Sequence, residues 1–84
     1  MVDTLGIKIG RKIIEKAFTQ KIAYSGTNAE YIGEAVPGTA SSVAKWRIKK
    51  LTYNASKLVT DVKWASGTED FDKEFDEREN YSYS

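Results

Sequence analysis

Seven carboxylates fall within eleven consecutive residues: Glu69, Asp70, Asp72, Glu74, Asp76, Glu77 and Glu79. Such a run invites two chemistries. A hard cation such as calcium takes several oxygens, and Asp70, Asp72 and Glu74 alternate as the first ligands of an EF-hand loop do. That loop then needs a glycine for its sharp turn, and Phe75 stands there. A general acid and base need two carboxyls across a cleft in unlike surroundings, whereas these acids form one local cluster. The run therefore reads as a solvated acidic face. No catalytic, metal-binding or cofactor-binding residue is assigned, and the expectation is a protein that is not an enzyme and uses no cofactor.

Cysteine and histidine are both absent, which removes thiol chemistry, disulfides, imidazole catalysis and the usual zinc ligands. The other charged candidate is basic. Lys45, Arg47 and Lys49 alternate beside Trp46, with Lys50 following, and such a strand can track a phosphate backbone. No known RNA- or DNA-binding signature surrounds them. A plainer reading makes Trp46 and Ile48 core, with the cations on the wet face discouraging edge pairing. A nucleic-acid-binding module using Lys45, Arg47, Lys49 and Lys50 is thus the alternative function.

Charge is split along the chain. Residues 1–63 carry 11 basic and 5 acidic groups, a net of +6, and residues 64–84 carry 2 and 7, a net of −5. This pattern fits a tail that neutralises the body or docks on a neighbour. "GRKIIEKAF" is basic and amphipathic, but it is short and lacks tryptophan, so packing on a sheet or partner explains its apolar face more simply than a membrane surface does. No stretch approaches the ~20 apolar residues of a membrane span, and the N-terminus lacks the pattern of a signal peptide. "NAS" at Asn54 fits a glycosylation pattern and is read as turn chemistry.

The elements that position these residues follow from periodicity. Ile13, Ile14, Ala17 and Phe18 recur at helical spacing, so residues 11–20 are expected to be helical, although Leu5, Ile7 and Ile9 alternate like a strand. Ile22 and Tyr24 alternate, Ser25 to Asn28 is a turn, Tyr31 and Ile32 sit in a second extended run, and Pro37-Gly38 ends it. "VAKWRIKKLTY", "NAS" and "KLVTDVKW" form a hairpin with Leu58, Thr60, Val62 and Trp64 on one face. Trp46 and Ile48 share a face, but Leu51 and Tyr53 fall on the other, which implies a bulge near Lys49 and Lys50 or a covered second face. Phe71 and Phe75, four apart, suit one or two helical turns near residues 69–77, in which Arg78 pairs with Glu74 or Asp72. Tyr81 and Tyr83 alternate as a closing strand.

Several of these stretches resemble a family of short tailed-bacteriophage virion-associated β proteins. The likeness rests on Tyr31 to Gly33, Val36 to Thr39, Trp46 to Ile48, Trp64 to Gly67, Phe71 to Phe75 and Tyr81 to Ser84. It covers about residues 30–84 and departs from the pattern at Val36, where alanine is expected, and at Phe75, where tryptophan is commoner. The resemblance implies a virion component made in the host cytoplasm. Its expected role is non-enzymatic: structural or assembly work, docking in several copies on a larger tail or capsid protein and in part on copies of itself. No small-molecule substrate, membrane span or nucleic acid is implied.

The combined expectation is a mainly β protein, a small antiparallel sheet or sandwich of four to six short strands. Residues 1–20 form an N-terminal arm or helix and residues 21–84 the β domain. The core or partner anchors are Tyr31, Trp46, Ile48, Trp64, Phe71, Phe75, Tyr81 and Tyr83.

Overall fold

A computed structural model describes residues 17–84. Among these residues the fold is mainly β, a four-stranded antiparallel sheet in the order β1-β2-β3-β4. The strands are β1 (Thr19–Ser25), β2 (Asn28–Ala35), β3 (Arg47–Tyr53) and β4 (Val59–Trp64). Each strand pairs with its sequence neighbour, and short turns set the register of the β1–β2 and β3–β4 pairs.

The first turn is tight because Ser25 pairs with Asn28, leaving Gly26 and Thr27 as its two central residues. Gly26 supplies the positive φ (64°) that a two-residue hairpin needs at its first central position. At the β3–β4 turn the Asn54 side-chain oxygen accepts from the backbone N–H groups of Ser56 (2.9 Å) and Leu58 (3.1 Å), replacing lost ladder bonds. Lys57 there adopts φ 65°. The longer β2–β3 connection begins at Pro37, after β2 has stopped at Ala35, and is tied by Thr39, whose hydroxyl donates to the Val36 carbonyl at 2.7 Å.

Alternation then sorts the side chains. One face carries Tyr31, Ala35, Trp46 and Ile48, all buried, with Ala65 and Phe75 completing a core of six apolar residues. Phe75 begins a 3-10 helix, Phe75–Asn80, which lies over this face. The helical turn expected near 69–77 is this element, overlapping in its last three residues, and Phe71 lies outside it. Trp46 anchors the arrangement from both ends: its backbone forms an antiparallel bridge with Lys73, and its indole N–H donates to the Ala40 carbonyl at 2.9 Å. The chain then returns beside the end of β4 without forming a further strand: Tyr83 makes an isolated bridge with Ala65, and Ser84 exchanges two backbone bonds with Trp64.

No bulge occurs at Lys49 and Lys50, which pair regularly with both neighbouring strands. The irregularities fall at Ala23/Tyr24 and Thr52/Tyr53 instead. Leu51 and Tyr53 lie on the second face simply by alternation, half-buried. The helical reading of residues 11–20 lies mostly outside the described residues, and where it can be compared Thr19 and Gln20 are already strand. Strand pairing with Ala35 and Glu34 overrides the helical spacing there.

Candidate functional site

The sheet presents two unlike faces. On the core face, Gly33 opens a gap between Tyr31 and Ala35 that the Phe75 ring fills. A Cβ on Gly33 would stand 2.5 Å from the Phe75 Cδ1 and 3.1 Å from the Trp46 Cε3. The Phe75 and Trp46 rings meet at 5.7 Å, tilted. Tyr31 meets Tyr83 at 5.7 Å, and Tyr81 packs against the same cluster. The Tyr81 hydroxyl accepts from the Glu74 N–H, and the Tyr83 hydroxyl donates to the Arg78 carbonyl at 2.7 Å. Burial pushes the Tyr83 phenol well above its usual range, reinforced by Tyr31 and Tyr81 and opposed by the Arg78 charge.

Arg78 is not the partner of Glu74 or Asp72. Its guanidinium stacks over Phe75 at 4.9 Å and donates to the Phe75 carbonyl. The 3-10 geometry aims it back onto the core instead of along an α-helical face. Asp72 pairs with Lys73, whose stem is buried beside Trp46.

The second face is organised by Arg47. Its guanidinium donates to Glu34 at 2.8 Å, lies 3.6 Å from a Glu69 oxygen, and sits over the rings of Phe71 (4.6 Å), Phe18 (5.3 Å) and Trp64 (5.7 Å). Gln20 also donates to Glu34, at 2.8 Å. Burial would raise the Glu34 carboxyl, but the Gln20 and Arg47 hydrogen bonds and the nearby Arg47 and Lys49 charges hold it below the ordinary carboxylate range. Lys49 lies over Trp64 at 5.5 Å. Beyond this cluster the face is apolar and open, with Ile22 43% exposed and Val62 51% exposed.

The predicted anchors therefore divide. Tyr31, Trp46, Ile48, Phe75, Tyr81 and Tyr83 meet on the core face, whereas Trp64 and Phe71 meet on the other, around Arg47. The basic residues divide too. Arg47 is ion-paired, Lys49 lies over Trp64, and Lys50 points to the opposite face over Tyr31 and Tyr83. Lys45 precedes the strand and is exposed. The four make no single stripe. Among the described residues no three acidic side chains converge as a metal site would require. Nor is any helix there long and apolar enough to cross a membrane. A shallow concavity of about 260 Å³ lies between the hairpin ends, lined by residues that include Glu30, Lys50 and Tyr53. It holds one carboxylate, and a paired acid–base reaction needs two.

In comparisons with protein-family models, curated proteins and solved structures, nothing matches this chain. Glu34 carries no signal in the sequence, while Gly33 enters there only within the Tyr31–Gly33 stretch and Arg78 only as a partner for Glu74 or Asp72. The Glu34–Arg47 pair is visible only once the β2–β3 register is known. The outward turn of Trp64 follows from its pairing with Lys49, while Ala65, the next residue, takes the core position.

Proposed function

We propose that this chain is a non-enzymatic structural or assembly component of a phage virion, a small β-domain that docks in several copies on a larger tail or capsid protein. The observation that carries the reading is the outer hairpin. Leu58, in the turn before edge strand β4, and Val59 and Val62 within that strand have exposures of 63%, 48% and 51%. Isolated apolar residues are ordinary on a surface, but three on one edge hairpin, two at its tip and Val62 on the open face, leave an adhesive edge that a lone domain normally blunts. Such an edge suits an apolar docking partner. The motif resemblance over residues 30–84 supplies the virion context.

Protein mass spectrometry of purified particles tests this, and absence of the chain from mature virions would sink it. Docking should also persist as salt rises, because apolar contact is not screened. Affinity that falls steeply with salt would favour phosphate binding through Lys45, Lys49 and Lys50. Replacing Leu58 and Val62 by serine should abolish incorporation into particles while leaving the core, which contains neither residue, folded.

A further inference from the structure

The two hairpins of the sheet part company at one end. The β2–β3 ladder runs from Glu34 and Arg47 to Tyr31 and Lys50 and stops there. Carried on, the same register would set Glu30 opposite Leu51, Ala29 opposite Thr52 and Asn28 opposite Tyr53, yet among the described residues none of these pairs forms. Both strands nevertheless continue, β2 from Asn28 and β3 to Tyr53, each still paired with its own hairpin mate. The opening between them is the concavity of about 260 Å³, and its lining includes Asn28, Glu30, Leu51, Thr52 and Tyr53, residues that the ladder leaves unmatched.

Three features shape this fork. Glu30 is skipped in the β1–β2 register and Thr60 in the β3–β4 register, so each hairpin carries a bulge near this level, and a bulge bends and twists its strand. The Tyr53 hydroxyl crosses the opening and donates to the Ala29 carbonyl at 2.6 Å, tying the two arms together. Backbone groups also point into it. The Ile48 carbonyl accepts from the Ala65 N–H at 2.9 Å and so faces β4, and alternation then turns the N–H and C=O groups of Leu51 and Tyr53 toward β2. Such rungs are completed by another strand. A simple anion suits the fork poorly, because Glu30 shares the lining with Lys50.

We propose that the fork takes an extended peptide segment, one strand wide, which pairs with Leu51 and Tyr53 after displacing the Tyr53 hydroxyl from Ala29. Its side chains alternate, apolar ones beside Leu51 and Tyr53 on the open face and an acidic one beside Lys50 on the other. Tyr53 pairs with Val59 of the adhesive edge, so the segment lies next to the docking surface. That the larger docking protein supplies the segment rests on the proposed function; the fork's affinity for extended backbone does not.

Titrating the isotope-labelled full chain with acetylated, amidated Thr-Val-Glu-Val-Thr tests this by NMR. The expected result is a saturable downfield shift of the Leu51 and Tyr53 amide protons, with the Ile48 amide, which faces β4, unmoved. The same peptide N-methylated at every residue should shift none of them. Tyr53→Phe frees the Ala29 carbonyl and should tighten binding about 2- to 10-fold, the worth of one hydrogen bond. No saturable shift, equal shifts with the methylated peptide, shifts confined to Val59 and Val62, or binding weakened by Tyr53→Phe would each overturn the proposal. The titration needs no particle, so its failure leaves the virion reading standing, and absence of the chain from particles leaves the titration result intact.

Discussion

Replacing Gly33 by alanine probes the tightest contact of the core. The added Cβ would lie 2.5 and 2.9 Å from the Cδ1 and Cε1 atoms of Phe75, closer than carbon atoms approach, with Trp46 at 3.1 Å behind it. Phe75 cannot swing clear. It is 5% exposed, packed on Trp46 at one side and covered by Arg78 at another. Overpacking of this kind costs about 1–3 kcal/mol. Loss of glycine freedom in the unfolded chain returns about 0.4–1 kcal/mol, because Gly33 does not have a positive φ. The net is destabilisation by about 1–2 kcal/mol, which in a domain of this size lowers Tm by roughly 4–16 °C. Urea unfolding followed by tryptophan fluorescence measures it. Shortening the ring with Phe75→Leu should make the alanine nearly neutral, because the two side chains compete for one space. A Gly33→Ala chain as stable as the parent, or a penalty unchanged by Phe75→Leu, would refute the idea that the 3-10 helix docks through a missing Cβ.

Trp46→Phe keeps most of the apolar contact but removes the indole N–H that donates to Ala40, so a loss of about 1–2 kcal/mol is expected in the same assay. Phe71→Ala should cost more than Asp70→Asn, since Phe71 packs on Arg47 and Phe18 while the Asp70 side chain is exposed; the reverse order in thermal melts would point to a bound cation. The depressed Glu34 carboxyl binds a proton less readily folded than unfolded, so its contribution is present above the ordinary carboxylate pKa of about 4.3 and fades as pH falls through the lower folded value. Glu34→Gln should flatten that part of the stability–pH curve. Tyr83 has the opposite sign: its raised phenol contributes fully below about pH 10 and progressively less above it. Tyr83→Phe should remove that alkaline decline.

Much of the sheet could be read from the order of letters because each signal was local. Turn residues at Gly26 and Asn54 and alternation through Ile48 fix two hairpins without reference to anything distant. The burial of Trp46 and Ile48 on one face followed from the same patterning. What escaped was whatever depends on meeting across the chain. The spacing of Phe71 and Phe75 reads as helical, yet Lys73 between them bridges Trp46, and the two rings lie on opposite faces of the sheet. Val62 and Trp64 do share a face, but it is the open one, because Ala65 takes the core place beside Ile48, while Leu58 lies in the turn outside the strand. Alternation gives two faces and does not say which is inside. The acidic run shows the same limit: Glu69 lies by Arg47 and Asp72 pairs with Lys73, partners that the run's own spacing does not announce.

The Phe75 contact with Gly33 joins positions 42 residues apart, and Tyr83 closes on Tyr31 from farther still. At a synthesis rate of about 5–20 residues per second, the ring that completes the core leaves the ribosome about 2–8 s after the glycine it covers. Both hairpins can form in that interval, with Trp46 and Ile48 still bare. The nascent sheet is then adhesive on both sides at once, a window in which chaperones or neighbouring nascent chains compete with the chain's own final segment.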